Sequence, residues 1–149
     1  MGANVITASC KKFQAILQRR IEHLEQDKII LSPEMLVVSD HSNYQIGPHT
    51  DTRKRFISFL YYLSSEPKYR SYGTSLYAPK DPALPVNDEK HHEVDEFALH
   101  TRIDYKPNRA IIFPRTDRSY HGVEPIPVTD CDRRLIIFNV RAPQGAKQF

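Results

Sequence analysis

The sequence predicts an all-β core preceded by an N-terminal helix, and two observations lead to this fold class. After Pro33 the apolar residues fall into short β-like runs separated by turn residues, with no helical periodicity between them. The chain also carries 11 prolines against 5 glycines in 149 residues, which favours many turns and strand edges. Such a pattern is typical of a β-sandwich or a β-barrel.

The segment 1–30 is predicted to be helical support for that core. Apolar side chains recur there at helical spacing, with charged residues on the opposite face, at Phe13, Ile16, Leu17, Ile21 and Leu24. Ser9 is a suitable N-cap for this helix. A single amphipathic helix of this kind is expected to cover one face of a sheet.

The β core is predicted to span 35–141, within a single domain of residues 1–149. The pattern indicates eight strands, at 35–38, 44–46, 56–63, 74–77, 97–99, 109–113, 120–123 and 135–140. The polar, proline-rich segment 79–96 is predicted to be a long loop, and a loop of that length is usually mobile or functional. Its role is left open by the sequence.

Composition and charge exclude several classes of protein. The chain is 40% hydrophobic and 26% charged, as in ordinary globular proteins, and its net charge of +3 is not the clustered basicity of a nucleic-acid binder. No apolar run approaches the roughly 20 residues of a membrane span. Cys10 and Cys131 lie far apart without metal spacing, which favours unpaired thiols in a reducing compartment. We therefore expect a soluble cytoplasmic protein with neither nucleic acid nor membrane as a partner.

One short stretch carries the spacing of a metal site. His49 and Asp51 follow a Gly-Pro break, and residues two apart in a strand project from the same face about 6.6 Å apart at Cα. They could therefore converge on one ion. His121, in another short β segment, is the best candidate for a third ligand. Two histidines and one carboxylate form the facial triad of non-haem Fe(II) oxygenases, which leaves coordination positions open.

The motifs around these ligands resemble a known enzyme superfamily. Five runs occur in the order expected for prolyl 4-hydroxylase-like Fe(II)/2-oxoglutarate dioxygenases, namely YQIGPHTD (44–51), FLYYL (59–63), PNRAIIF (107–113), HGVEP (121–125) and RRLIIFN (133–139). Each run alone is weak, whereas the ordered set is specific. The resemblance extends over about 35–141.

The resemblance implies a fold, a reaction and a set of cofactors. The fold would be a double-stranded β-helix, the cupin-like jelly roll, with Fe(II) held between its sheets by His49, Asp51 and His121 as both metal ligands and catalytic residues. The cosubstrates would be 2-oxoglutarate and O2, with release of succinate and CO2 as the substrate is hydroxylated. The substrate itself, whether a small molecule or a protein, is left open. The alternative is a non-catalytic jelly-roll module that binds a metal or another ligand.

The far carboxylate of 2-oxoglutarate requires a cation, and a guanidinium suits it because it can donate two parallel hydrogen bonds. Arg133 and Arg134 both qualify, and their side chains must point to opposite faces of a strand. Arg134 shares an apolar face with Ile136, Phe138 and Val140, which could be the interior. Spacing within the family instead favours Arg133. The resemblance also implies that the phenol of Tyr62 helps to bind this carboxylate.

Two further groups of residues have both a functional and a structural interpretation. The basic run 53–55 could attract an anionic substrate to the pocket mouth, or it could be a solvated turn. A second metal cluster could form from His91, His92, Glu93 and His100, but a polar, flexible loop is the better interpretation because no helix spacing or adjacent strand fixes their geometry.

Overall fold

The computed structural model describes residues 3–22, 30–63, 66–85, 91–127 and 131–142. Two helices come first, α1 (Ala3–Lys12) and α2 (Gln14–Ile21), with Phe13 between them. Helix α1 therefore begins well before Ser9, and the prediction of Ser9 as the N-cap is wrong. The Oγ of Ser9 instead donates to the carbonyl of Val5 inside α1. No described helix combines the length and apolar character that a membrane crossing requires.

Eight strands follow the helices and form two antiparallel four-stranded sheets. Sheet A has the order β1-β8-β3-β6 and sheet B the order β2-β7-β4-β5. The strand bounds are β1 Ser32–Asp40, β2 Ile46–His49, β3 Arg55–Tyr62, β4 Thr74–Pro79, β5 Phe97–Ile103, β6 Ala110–Pro114, β7 His121–Val123 and β8 Arg133–Arg141. Two short 3-10 helices, Pro67–Tyr69 and Val94–Glu96, lie in the connections.

The strand order confirms the predicted jelly roll. Strands that are consecutive in the sequence mostly belong to different sheets, as in a double-stranded β-helix, and all eight predicted runs became strands. The largest shift is in β2, which was predicted at 44–46 and runs from Ile46 to His49. That shift places His49 inside the strand.

Two hydrophobic clusters hold the layers together. The first lies between the sheets and includes Leu60, Val123 and Leu135. The second lies on the outer side of sheet A, where Phe59 and Val140 pack with apolar residues of the two helices, among them Ile6, Phe13 and Leu17. The predicted role of the helices as a cover for one sheet face is confirmed. Leu24, the last residue of the predicted helical pattern, lies outside the described residues.

Candidate metal centre

The two candidate histidine ligands are direct partners in sheet B. His49 ends β2 and His121 begins β7, and they pair across the antiparallel ladder. Their ring centroids lie 4.4 Å apart. The pairing depends on the glycine after His121, because a Cβ on Gly122 would come within 2.5 Å of the carbonyl oxygen of Ile46. Close approach of β2 and β7 therefore brings the two imidazoles together.

Backbone carbonyls fix the tautomer of both rings. Nδ1 of His49 lies 2.9 Å from the carbonyl oxygen of Gly47, and Nδ1 of His121 lies 3.0 Å from that of Ser119. A carbonyl can only accept, so each Nδ1 carries the proton and donates it. The Nε2 atom of each ring is left with its lone pair, which is the arrangement typical of metal-binding histidines.

Asp51 brings a carboxylate to the same place. It lies two residues beyond the end of β2, is 3% exposed, and is held by two donors: Nη1 of Arg55 lies 2.6 Å from Oδ1, and the Oγ of Ser58 donates to Oδ2. Arg115 donates from Nε to the backbone carbonyl of Asp51 at 3.1 Å. These contacts come from β3 and from the segment after β6, so the carboxylate is anchored from sheet A.

The protonation states suit metal binding. Burial and the nearby charge of His121 lower the pKa of His49 to about 4, so its imidazole is neutral near pH 7. Burial raises the pKa of the Asp51 carboxyl, but His121, Arg55 and Ser58 outweigh burial and the net shift is downward. At neutral pH the His49 imidazole and the Asp51 carboxylate are therefore both unprotonated.

The donor set fits Fe(II). The candidate ligand atoms of His49, Asp51 and His121 all lie within 4.8 Å of one another, so one ion can contact all three. They form the one group of three or more His, Cys, Asp or Glu residues with metal-site spacing in the described part of the chain. Two imidazole nitrogens and one carboxylate oxygen are the ligand set of the Fe(II) facial triad, and three protein ligands leave room for a chelating cosubstrate.

A cavity of about 230 Å³ opens beside the three ligands and runs between the sheets. Arg133 lies in its wall and is 1% exposed. Its guanidinium lies 5.4 Å from the ring centroid of Tyr62 and 5.3 Å from that of Tyr105, and Nε donates to the carbonyl of Tyr72 at 2.7 Å. Nη1 donates to Asp40 Oδ2. The cavity thus has metal ligands and a fixed cation in the same lining.

The structure does not bring Arg134 to this cavity. Its side chain is 62% exposed and binds Asp132 on the outside of the sandwich. The face that it shares with Phe138 and Val140 is apolar because the two helices cover it. Both faces of β8 are therefore largely buried, and this is why apolar patterning alone could not choose between the two arginines. The geometry favours Arg133.

Tyr62 lies beside the arginine, but its hydroxyl is engaged elsewhere. The phenol donates to Thr74 Oγ1 at 2.7 Å and accepts from the Thr74 backbone N–H at 2.8 Å. The cavity lining includes Thr74 but not Tyr62. In this arrangement Tyr62 contacts Arg133 through its ring, so its predicted role at the carboxylate remains a prediction and its observed contact is with the cation.

Several cavity residues were missed by sequence reasoning. Asn139 is fully buried in the cavity wall and donates from Nδ2 to Glu34 at 3.0 Å, and its Oδ1 has no partner within the described part of the chain. Ser58 is its cross-strand partner. Arg55, from the basic run considered as a pocket-mouth cation, lines the cavity and is 29% exposed. The roles of Ser58 and Asn139 have no sequence signal, because they arise from pairing between distant strands.

The later part of the predicted loop 79–96 also reaches the candidate metal site. The backbone N–H of His92 donates to the carbonyl of Pro48 at 2.9 Å, and the His91 ring centroid lies 4.7 Å from that of His49. His92 is buried against Phe97 and Tyr120. Interpreting His92 as part of a flexible polar loop was therefore wrong. Residues 86–90 of the predicted loop lie outside the described residues.

Comparison with solved structures finds several chains to which this chain is similar. The chain is similar to an RmlC-like cupin protein from Desulfovibrio desulfuricans, with 9% identity over 78% of this chain and 91% of that chain and a TM-score of 0.39. It is similar to the viral collagen prolyl hydroxylase of Paramecium bursaria Chlorella virus-1, with 17% identity over 90% of this chain and 66% of that chain and a TM-score of 0.47. It is also similar to EvdO2 from Micromonospora carbonacea var. aurantiaca in complex with 2-oxoglutarate. The identity is 16% over 92% of this chain and 63% of that chain, with a TM-score of 0.47.

This chain spans 66% of the length of the viral prolyl hydroxylase and 63% of the length of EvdO2, which is less than two thirds in each case. Likenesses at these TM-scores carry no functional argument, and no curated protein matches the chain. The family assignment rests on a separate match, in which residues 35–141, more than half of the chain, fit the 2OG-Fe(II) oxygenase superfamily. That match confirms the family, enzyme class and cofactors predicted from the sequence, and the chain belongs to the 2OG-Fe(II) oxygenase superfamily.

Proposed function

We propose that this chain is an Fe(II)- and 2-oxoglutarate-dependent oxygenase that hydroxylates a small-molecule or protein substrate. One observation carries the proposal: His49, Asp51 and His121 converge within 4.8 Å at a cavity whose lining also holds Arg133. A metal-binding module without oxidative turnover needs the three ligands, but it has no need of a buried guanidinium in the same cavity. In a family that uses 2-oxoglutarate, the combination supports catalysis.

The chain's own residues hold and orient the reactants. His49 and His121 would bind the ion through Nε2, because their Nδ1–H groups are engaged with carbonyls. Asp51 would supply the third ligand, and Arg55 and Ser58 keep its carboxylate in place. Arg133 would bind the far carboxylate of 2-oxoglutarate through charge-assisted hydrogen bonds.

When bound, Fe(II) and 2-oxoglutarate supply the oxidising chemistry, in which O2 is consumed, succinate and CO2 are released and one oxygen atom enters the substrate. The protein's contribution is placement and exclusion of water. Leu60, Leu135 and Ile137 make part of the cavity wall apolar, so stray solvent is limited beside the reacting centre. Asn139 Oδ1 and Arg55 give the same cavity polar contacts for a ligand.

We extend the proposal to location and partners. A cytoplasmic enzyme is supported by Cys10 and Cys131, which are both free thiols. The mild net charge of +3 supports a substrate other than nucleic acid. Packing of both helices on sheet A supports a single domain for residues 1–149, with 1–30 as helical support.

The experiment that tests the function is anaerobic titration of the metal-free protein with Fe(II) and then with 2-oxoglutarate. A bidentate 2-oxo acid on Fe(II) is expected to give a weak visible charge-transfer band. The band should be lost in His121→Ala and retained in His100→Ala, because His100 is exposed on β5 outside the metal group. Consumption of 2-oxoglutarate should likewise be lost in His121→Ala and retained in His100→Ala.

The outcomes separate the two classes of function. If Fe(II) binds but the band does not form, the chelating cosubstrate is not accommodated and the binding-module alternative is favoured. If His49→Ala and Asp51→Ala both retain full iron-dependent consumption of 2-oxoglutarate, the assignment of the three ligands is wrong.

A further inference from the structure

The guanidinium expected to bind the far carboxylate of the cosubstrate already binds a carboxylate of the chain itself. Asp40 ends β1 and Arg133 begins β8, and the two residues are direct partners in the β1–β8 ladder. Both line the cavity, and they are 3% and 1% exposed. Nη1 of Arg133 donates to Asp40 Oδ2, so the charge of the guanidinium is already balanced before any ligand enters.

The guanidinium has little freedom to move away from Asp40. Its Nε is bound to the carbonyl of Tyr72, and the rings of Tyr62 and Tyr105 lie on it at 5.4 and 5.3 Å. An arriving carboxylate must therefore use the remaining N–H groups of a cation that Asp40 continues to hold. Two carboxylates would then share one guanidinium.

Other groups around Asp40 do not supply a second permanent positive charge. In the described residues its one ion pair is with Arg133. Tyr44 and Cys131 face it as neutral acids, since burial raises the pKa of both the phenol and the thiol. His41, which adjoins Asp40 in the sequence, is exposed. Burial also raises the pKa of the Asp40 carboxyl, even though Arg133 and His41 act to lower it.

Two carboxylates on one cation in a buried cavity leave an uncompensated negative charge, which is unfavourable at low dielectric. Nearby carboxylates relieve this by keeping one proton between them, and one of the two pKa values is then strongly raised. We propose that 2-oxoglutarate binding takes up one proton from solvent, which Asp40 and the far carboxylate of the ligand share beside Arg133. This inference rests on the proposed function, and it makes Asp40 a residue that sets cosubstrate affinity.

The expected signature is a pH-dependent affinity. If binding takes up a proton, the dissociation constant for 2-oxoglutarate should rise about tenfold for each pH unit above the range in which Asp40 is already protonated. A 2-oxo acid without the far carboxylate, such as pyruvate, reaches the metal but not Arg133. Its affinity should follow pH only through the metal ligands, so it is the control for that part of the site.

Calorimetry on the anaerobic Fe(II) protein tests the inference directly. Titrations with 2-oxoglutarate and with pyruvate between pH 6.5 and 8.5, in phosphate and in Tris, report proton uptake from the difference in heat between the buffers. We expect uptake approaching one proton for 2-oxoglutarate and none beyond the metal-site contribution for pyruvate. An affinity for 2-oxoglutarate that stays within twofold across this range, with the same heat in both buffers, would overturn the inference.

A variant pair provides a second measurement. Asp40→Asn replaces the shared proton by an amide N–H, so it should remove the proton uptake and tighten 2-oxoglutarate binding about tenfold near pH 8. Asp132→Asn is the matched control, since Asp132 binds Arg134 outside the cavity. If Asp40→Asn does not fold, the wild-type calorimetry alone decides.

The two levels of proposal fail differently. Binding of 2-oxoglutarate that does not depend on pH contradicts only the role of Asp40. No binding of 2-oxoglutarate by the wild type at any pH contradicts the proposed function, and the inference with it.

Discussion

Ser58 donates its hydroxyl hydrogen to Oδ2 of Asp51, so a residue of sheet A holds the carboxylate that completes the metal site of sheet B. Both residues are buried, at 2% and 3% exposure. The contact fixes the orientation of the carboxylate before any ion arrives, because Arg55 binds the other oxygen. Residues in this position usually affect metal affinity although they never touch the metal.

Ser58→Ala should therefore weaken Fe(II) binding about 10- to 100-fold. The control is Ser75→Ala, which removes the hydroxyl of a fully buried serine on β4. That hydroxyl has no hydrogen-bond partner among the residues that the structure describes. Anaerobic Fe(II) titration of the two variants measures the difference. Equal affinities would show that Arg55 alone is sufficient to orient Asp51.

The metal-free protein should lose stability as the pH falls from about 6.5 to about 4. The pKa of His49 is lowered from 6.5 to about 4, so in this range the unfolded chain binds a proton that the folded chain does not. Stability then decreases with falling pH, by about 3 kcal/mol over the whole range. Asp51, whose pKa is lowered, adds its own loss mainly below this range.

Urea unfolding of the metal-free protein at several pH values measures this slope. His49→Gln should flatten it, since glutamine does not titrate, whereas His100→Gln should leave it unchanged. A wild-type slope that persists undiminished in His49→Gln would assign the effect to another group.

Arg133→Met should be far more destabilising than Arg134→Met. It leaves the Asp40 carboxylate buried without a partner, which typically destabilises a protein by about 3–5 kcal/mol. Arg134 is exposed, and its loss should leave the free energy of unfolding nearly unchanged. Denaturant unfolding compares the two variants.

The double variant Asp40→Asn/Arg133→Met should recover part of that stability, because it removes both charges together. If the loss of unfolding free energy in the double variant equals the sum of the losses in the two single variants, the two residues do not act as a pair.

Arg20 connects the helices to the metal site. Its guanidinium donates to the carbonyls of Arg53 and Arg55, both at 2.6 Å, and lies 4.4 Å from the ring centroid of Phe56. Arg20→Met should destabilise the fold by about 2 kcal/mol or more, since it removes two charge-assisted hydrogen bonds. It should also weaken Fe(II) binding, because Arg55 holds Asp51.

The neighbouring residue offers a matched control, as Arg19 is exposed on the same helix. Arg19→Met should change stability by about 0.5 kcal/mol or less and leave Fe(II) affinity as in the wild type. If Arg20→Met is destabilised but binds Fe(II) normally, the helices support the sheet without influencing the site.

Much of the fold and the clustering of the three candidate metal ligands could be predicted from the sequence because their signals are local. Strands follow from short apolar runs between turns, and the candidate triad follows from the spacing of His49 and Asp51 with His121 in the matching motif. The strand itself ends at His49, so Asp51 lies beyond the strand that the spacing argument assumed. The break at Phe13 between α1 and α2 has no comparable signal, since the apolar pattern continues through it.

The rest of the site depends on contacts between residues far apart in the sequence. Asp40 meets Arg133 and Ser58 meets Asn139 only because β8 pairs with β1 on one side and β3 on the other. The choice between Arg133 and Arg134 had the same difficulty. A strand in the middle of a sheet, with a core on one face and helices on the other, has no polar face to show which side is which.

The division of the site between the two sheets has a consequence for ligand length. The histidines belong to sheet B and Arg133 to sheet A, so the span from metal ligands to guanidinium is set by how closely the sheets pack. Leu60, Val123 and Leu135 fill the space between them. The volumes of these three side chains should therefore select among 2-oxo diacids of different chain length, and resizing them offers a route to an enzyme that accepts a longer or shorter homologue.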